Sequence, residues 1–158
     1  MSILRRPMFY AAGVAVLATA VLFAAFSTAT AGKARYYTGY FSGVAAGGYD
    51  PVSYFTAGMP VKGKKDITAK WDGVTWRFSS PENREVFLEM PKKYAPQFGG
   101  YCAYAVAIGT TAKGDPRNWK IVDGKLYLNY DRSIQRKWER QQSSYIRKGH
   151  KNWPRVLK

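Results

Sequence analysis

Few side chains in this 158-residue sequence could do chemistry, so they can be weighed one by one. Soft or imidazole ligands amount to Cys102, His150 and a handful of methionines, of which Met59 and Met90 fall within the folded part of the chain. No two of these stand at a spacing used by a zinc site, a haem attachment or a histidine pair on one helix face. Cys102 sits in the apolar run Tyr101 to Ala107, where a free thiol behaves as a small hydrophobe. His150 follows Gly149 in a basic stretch and reads as a solvated tail residue. Met90 continues the helical spacing of Val86 and Phe87 and is expected in the core. The aspartates Asp50, Asp66, Asp72, Asp115, Asp123 and Asp131 occupy turn and cap positions, where a carboxylate accepts backbone N–H groups. A lone histidine is a poor base for any serine. The expectation is a non-enzymatic protein with no small-molecule substrate.

The elements that must position these residues are marked clearly. In residues 67–94, Asp72-Gly73 suits a two-residue hairpin turn. It pairs Trp71 with Val74, Ala69 with Trp76 and Ile67 with Phe78 on one face. Ser80-Pro81-Glu82 starts a helix that Pro91 ends, and Pro91 to Ala95 makes a further turn. Upstream, Asp50 caps a helical turn with Pro51 at its first position, and Gly58 closes it. Asp123-Gly124 turns a second hairpin between Trp119–Val122 and Lys125–Tyr130. It pairs Trp119 with Leu128 and Ile121 with Leu126, with Lys120 and Tyr127 on a solvated face. Asp131 then caps a single long helix running to Lys148, with Gly149 as its stop and Ile134, Trp138 and Tyr145 as its apolar stripe. The fold class expected is α+β: a small antiparallel sheet made of the two Asp-Gly hairpins, flanked by short helices, in one domain.

These segments carry a family resemblance. Gly48-Tyr49-Asp50-Pro51-Val52, then Trp76-Arg77-Phe78-Ser79-Ser80, then Phe87 and Pro91-Lys92-Lys93-Tyr94 resemble the YHS domain. The continuations Gly99 to Val106 and Asp123 to Tyr130 resemble a longer, exported subgroup, so that the likeness spans residues 48–153. The resemblance implies metal binding through one cysteine after the Asp-Pro-Val start and another after the aromatic-x-Phe strand end. Thiolates at those places suit copper(I) or zinc. Here the two positions are Ser53 and Ser79, and hydroxyls are poor ligands for such ions. No cofactor is therefore expected. The alternative is copper or zinc at a non-standard site, with Cys102 as its candidate ligand.

Composition supplies the address and the partner class. Arg5 and Arg6 precede the uncharged stretch Pro7 to Ala31, which ends Ala29-Thr30-Ala31. That pattern fits a signal cut after Ala31. An uncleaved membrane anchor over Met8 to Phe26 fits as well. The protein is expected in the periplasm, secreted, or anchored to the membrane by one N-terminal helix. One cysteine excludes an internal disulfide, so the core alone must hold the fold. With 12 Tyr, 8 Phe and 5 Trp that core is bulky. Domain organisation reads as 1–31 signal or anchor, 32–47 linker arm, 48–130 YHS-like core, and 131–158 basic amphipathic helix and tail. The arm's Tyr36, Tyr37, Tyr40 and Phe41 should dock on the domain or on a partner, with a short strand over 36–41. The formal charge is +15, and residues 132–158 hold nine Lys or Arg against the single acid Glu139. Arg136, Lys137, Trp138, Arg140, Tyr145, Arg147, Lys148 and Trp153 are the expected contact residues for an acidic protein partner or an anionic membrane. Export argues against nucleic acid. The function expected is a binding or accessory module, a small subunit of a membrane-associated assembly.

Overall fold

The computed structural model describes residues 32–39 and 43–158. The expected leader over 1–31, and the docking of Tyr40 and Phe41, lie outside them. Among the described residues no helix is long and apolar enough to cross a membrane.

The first half opens with a left-handed turn, in which Ala46, Gly47 and Gly48 all hold positive φ (50°, 58° and 77°). Helix α1 (Ser53–Thr56) follows, then the hairpin of β1 (Thr68–Trp71) and β2 (Val74–Arg77). Its register is the expected one, with Ala69 against Trp76 and Trp71 against Val74. Asp72 and Gly73 take φ of 48° and 82°, as the two-residue turn requires. Helix α2 (Pro81–Glu89) starts where Ser80 Oγ accepts the Asn83 N–H, and α3 (Pro91–Tyr94) follows directly. Trp76, Phe78 and Phe87 are fully buried, each contributing about 1.5–3 kcal/mol on transfer from water. Met90, expected in the core, is instead 45% exposed. The helix ends at Glu89, and the Met90 backbone (φ −138°, ψ 60°) turns its side chain off the apolar stripe.

The second half retraces this path with different residues. Phe98, Gly99 and Gly100 repeat the left-handed turn at φ of 55°, 61° and 79°. After the first turn Tyr49 bridges Lys62, and after the second Tyr101 bridges Lys113, both antiparallel. Asp50 N–H donates to the Val61 carbonyl at 2.9 Å, and Cys102 N–H to the Ala112 carbonyl at 2.9 Å. Short helix α4 (Ala103–Ala107) stands for α1. The hairpin of β3 (Asp115–Val122) and β4 (Lys125–Asn129) turns on Asp123-Gly124 with φ of 49° and 69°. Asp131 then caps α5 (Arg132–Glu139) by accepting the Ile134 N–H at 2.8 Å. Trp138 in α5 is fully buried, as is Phe87 in α2. Residues 44–139 are thus two structural repeats, followed by α6 (Gln142–Asn152).

Several expectations need correction. The hairpins form two separate two-stranded sheets and not one sheet. Each half covers its own hairpin edge: Val44 bridges Thr75 beside β2, and Cys102 bridges Leu128 beside β4. Strand β3 begins at Asp115, ahead of the expected start at Trp119, with a register shift between Asp115 and Trp119. The second hairpin has the expected pairing, yet Tyr127 is buried. Trp138 of α5 lies over it with ring centroids 5.5 Å apart, while Leu126 and Leu128 bury the other face. The long C-terminal helix is two, broken at Gln141 (φ −137°, ψ 39°). Gly149 does not stop it. A Cβ there would meet Phe98 Cζ at 2.6 Å, so glycine permits α6 to close on the core. His150 accordingly lies within α6 and not on a tail. No strand forms over 36–39, but the arm does dock: Tyr36 is buried against Trp71 and Trp76 at 5.8 and 5.4 Å. Tyr37 packs on Tyr101 at 5.5 Å.

Candidate functional site

Two places on the fold gather the residues singled out from sequence. The first is centred on Asp50, which is fully buried. Its Oδ1 accepts the Val52 N–H at 2.9 Å, the capping bond expected for an Asp-Pro start. Its Oδ2 accepts three more, from Ser79 N–H at 2.9 Å, Ser79 Oγ–H at 2.6 Å and Asn83 Nδ2 at 2.7 Å. Ser53 Oγ lies 2.8 Å from the Asp50 carbonyl and accepts the Val61 N–H at 3.1 Å. The fold therefore does bring Ser53 and Ser79 to one residue, Ser79 at the Asp50 carboxylate and Ser53 at the Asp50 backbone carbonyl, joining the first turn, the end of β2 and the start of α2.

That donor set does not fit a soft ion. Both family ligand positions present hydroxyls, and the Asp50 carboxylate that Ser79 meets already takes four N–H and O–H donors. Charge-assisted bonds of this kind satisfy a buried anion without a cation. Copper(I) and zinc select thiolate or imidazole, which this pocket lacks. Among the described residues, no three of His, Cys, Asp and Glu come together as a possible ligand group.

Cys102, at the place in the second half that Asp50 takes in the first, fits no better. It is buried, its Sγ donates to Asn129 Oδ1 at 3.7 Å, and burial pushes the thiol pKa up. A buried thiol with a raised pKa is a weaker nucleophile and ligand than an exposed thiolate. Asn129 also accepts the Tyr104 N–H at 3.3 Å, which joins β4 to α4.

The second place is the outer face of α5 and α6. Arg136, Lys137, Arg140, Arg147 and Lys148 are all exposed. Among the described residues, none of them lies within 4.0 Å of a carboxylate, the single local acid Glu139 being paired with Lys120 at 3.8 Å. Trp138, expected among the contacts, belongs to the core because the Tyr127 ring seats it. Tyr145 and Trp153 are half-buried. Sequence reading missed Tyr104, which completes an aromatic and cationic row. Lys137 stands over its ring at 4.9 Å, Tyr104 meets Tyr145 at 5.1 Å, and Lys148 stands over Tyr145 at 5.8 Å. The Tyr104 hydroxyl beside Lys137 holds its ammonium pKa above the ordinary value. Such contacts hold lysine stems along apolar surface and leave their charge in water.

Residues 52–98 match the family model of the YHS domain. The chain therefore carries a YHS domain, and the matched segment ends at Phe98, where the second left-handed turn begins. The match is thus essentially the first structural repeat, and the second lies beyond it. No curated protein matches the chain, and no solved structure does.

Proposed function

We propose that this protein is a non-enzymatic binding module of YHS type, working outside the cytoplasm at the membrane face as a small subunit or accessory of an assembly. Its contact surface is the cationic face of α5 and α6, and its partner is an acidic protein. One observation carries this reading: five exposed cations stand on two consecutive helices and the turn between them, and among the described residues none is within 4.0 Å of a carboxylate. Like charges kept together on one face cost stability within a monomer, and complementary charge on a partner offsets that cost. The Asp50 network supports the non-enzymatic part, since four donors already engage that carboxylate and the family's ligand positions, Ser53 and Ser79, hold no thiolate.

The test uses the full-length chain in its native membranes with a photo-crosslinking amino acid at Arg140. A discrete protein adduct is expected, lost in added salt and in the Arg136→Glu, Lys137→Glu, Arg147→Glu, Lys148→Glu variant. Adducts to lipid alone, or an adduct that survives charge reversal, would overturn the reading.

A further inference from the structure

A cleft of about 360 Å³ opens where the two halves and the arm meet. That volume lies within the range of small-molecule sites. The turn ends of both hairpins reach it, through Trp71 and Asp72 from the first and Lys125 from the second. Lys92 contributes from α3, Arg35 from the arm, His150 from α6 and Trp153 from just after it. It is separate from the cationic face described above, and it exists only because the fold is doubled and then closed by α6.

The chemistry of its lining is mixed in a directed way. Phe98 is fixed in the left-handed turn, with Trp153 at 5.9 Å and the His150 ring at 5.1 Å. Trp71, half-buried, supplies further ring surface. Around this aromatic floor stand four basic groups against one acid. Asp72 is committed to Arg35 at 3.3 Å, and among the described residues Lys92 and Lys125 have no carboxylate within 4.0 Å. Burial and the Lys125 charge lower the His150 pKa, so the imidazole is neutral near pH 7.

We propose that this cleft binds a small aromatic anion, its ring against the half-buried Trp71 and Trp153 and its carboxylate or phosphate at Lys92, Lys125 and His150. Exposed lysines alone hold an anion weakly, since water screens them. The aromatic floor provides the larger share through stacking, and only a ligand carrying both parts uses both. The bound anion offsets the Lys125 charge beside His150 and favours the imidazolium. Arg35, Asp72, Lys92 and Lys125 are the charged groups that line the cleft with His150, and of these only Asp72 is negative. Affinity therefore rises as pH falls and this imidazole takes up its proton.

The only histidine in the sequence gives a single imidazole NMR signal to follow in the untagged full-length protein. Phenyl phosphate and benzoate are the probes, with inorganic phosphate and benzyl alcohol as half-ligands. Both aromatic anions should shift the His150 ring resonances saturably and raise its pKa. Each half-ligand should bind at least about tenfold more weakly, because it forfeits either the stacking or the charge term. Lys125→Ala, an exposed substitution that leaves the core intact, should weaken phenyl phosphate about five-fold, and His150→Gln should abolish the pH dependence as read by tryptophan fluorescence. Absence of any shift, equal binding of benzyl alcohol, or unchanged affinity in Lys125→Ala would overturn the proposal.

Discussion

Asp50 is the residue on which the first half is tied together. Four donors converge on its carboxylate from the first turn, from Ser79 and from α2. Removing the side chain leaves the Ser79 N–H and hydroxyl and the Asn83 amide without acceptors, at about 1–3 kcal/mol for each group that stays buried. We expect Asp50→Ala to cost roughly 3–5 kcal/mol in denaturant unfolding, allowing for partial access of water to Ser79. A loss under about 1 kcal/mol would show that the network is incidental. Ser53→Ala should cost less, about 1 kcal/mol, because it orphans mainly the Val61 N–H. Half of this centre is legible in sequence. The Asp-Pro dipeptide announces the bond to Val52, and the resemblance singles out Ser53 and Ser79. The bonds to Ser79 and Asn83 are long-range, and no local pattern reports them.

At the scale of elements, the two hairpins and the starts of the helices that follow them are local events. An Asp-Gly turn and a capping side chain decide each, and both are read directly from the chain. The recurrence of one half in the other is not, because equivalent places hold different chemistry: Asp50 against Cys102, Trp76 against Tyr127, Phe87 against Trp138. What repeats is backbone conformation, above all three successive residues with positive φ. Gly149 shows the same limit in reverse. A glycine in a basic run reads as a helix stop, yet its role is set by Phe98, far away in sequence. Helix propensity alone would make Gly149→Ala stabilising by about 1 kcal/mol. Contact of the new methyl with Phe98 opposes it at roughly 1–3 kcal/mol. Phe98 is buried and held in the left-handed turn, so it has little room to yield. We expect the melting temperature of Gly149→Ala to fall, and a rise would show that the ring moves aside at little cost.

For the molecule as a whole, titration sets two edges to its stability, and the signs can be worked out. On the acid side, the Asp115 carboxyl is held below its ordinary pKa by Arg117, and Asp131 and Glu82 chiefly by backbone N–H groups at helix starts. A depressed carboxyl stabilises the fold above its unfolded pKa, near 4, and that stability is lost as pH falls through the folded value. His150 acts in the same direction at higher pH. Its folded pKa lies below 6.5, so the fold prefers neutral imidazole and weakens as pH drops under that value. The formal charge of +15 grows with every proton taken up, which adds self-repulsion. On the alkaline side, burial raises the tyrosine pKa values. Tyr36 is pushed up to about 12, by burial first and by Asp72 beside it second. Tyr54, Tyr101 and Tyr127 move the same way. A raised phenol stabilises the fold below its unfolded pKa, near 10, and that stability is lost above it. Thermal unfolding across pH should therefore show a plateau from about 7 to 9.5, a shallow fall below about 6.5 and steep losses below about 4 and above about 10. His150→Gln should remove the shallow step alone. Added salt should lift the acid limb most, because there the excess positive charge is greatest. A profile symmetric about the isoelectric point, or an acid limb indifferent to salt, would contradict this assignment of groups.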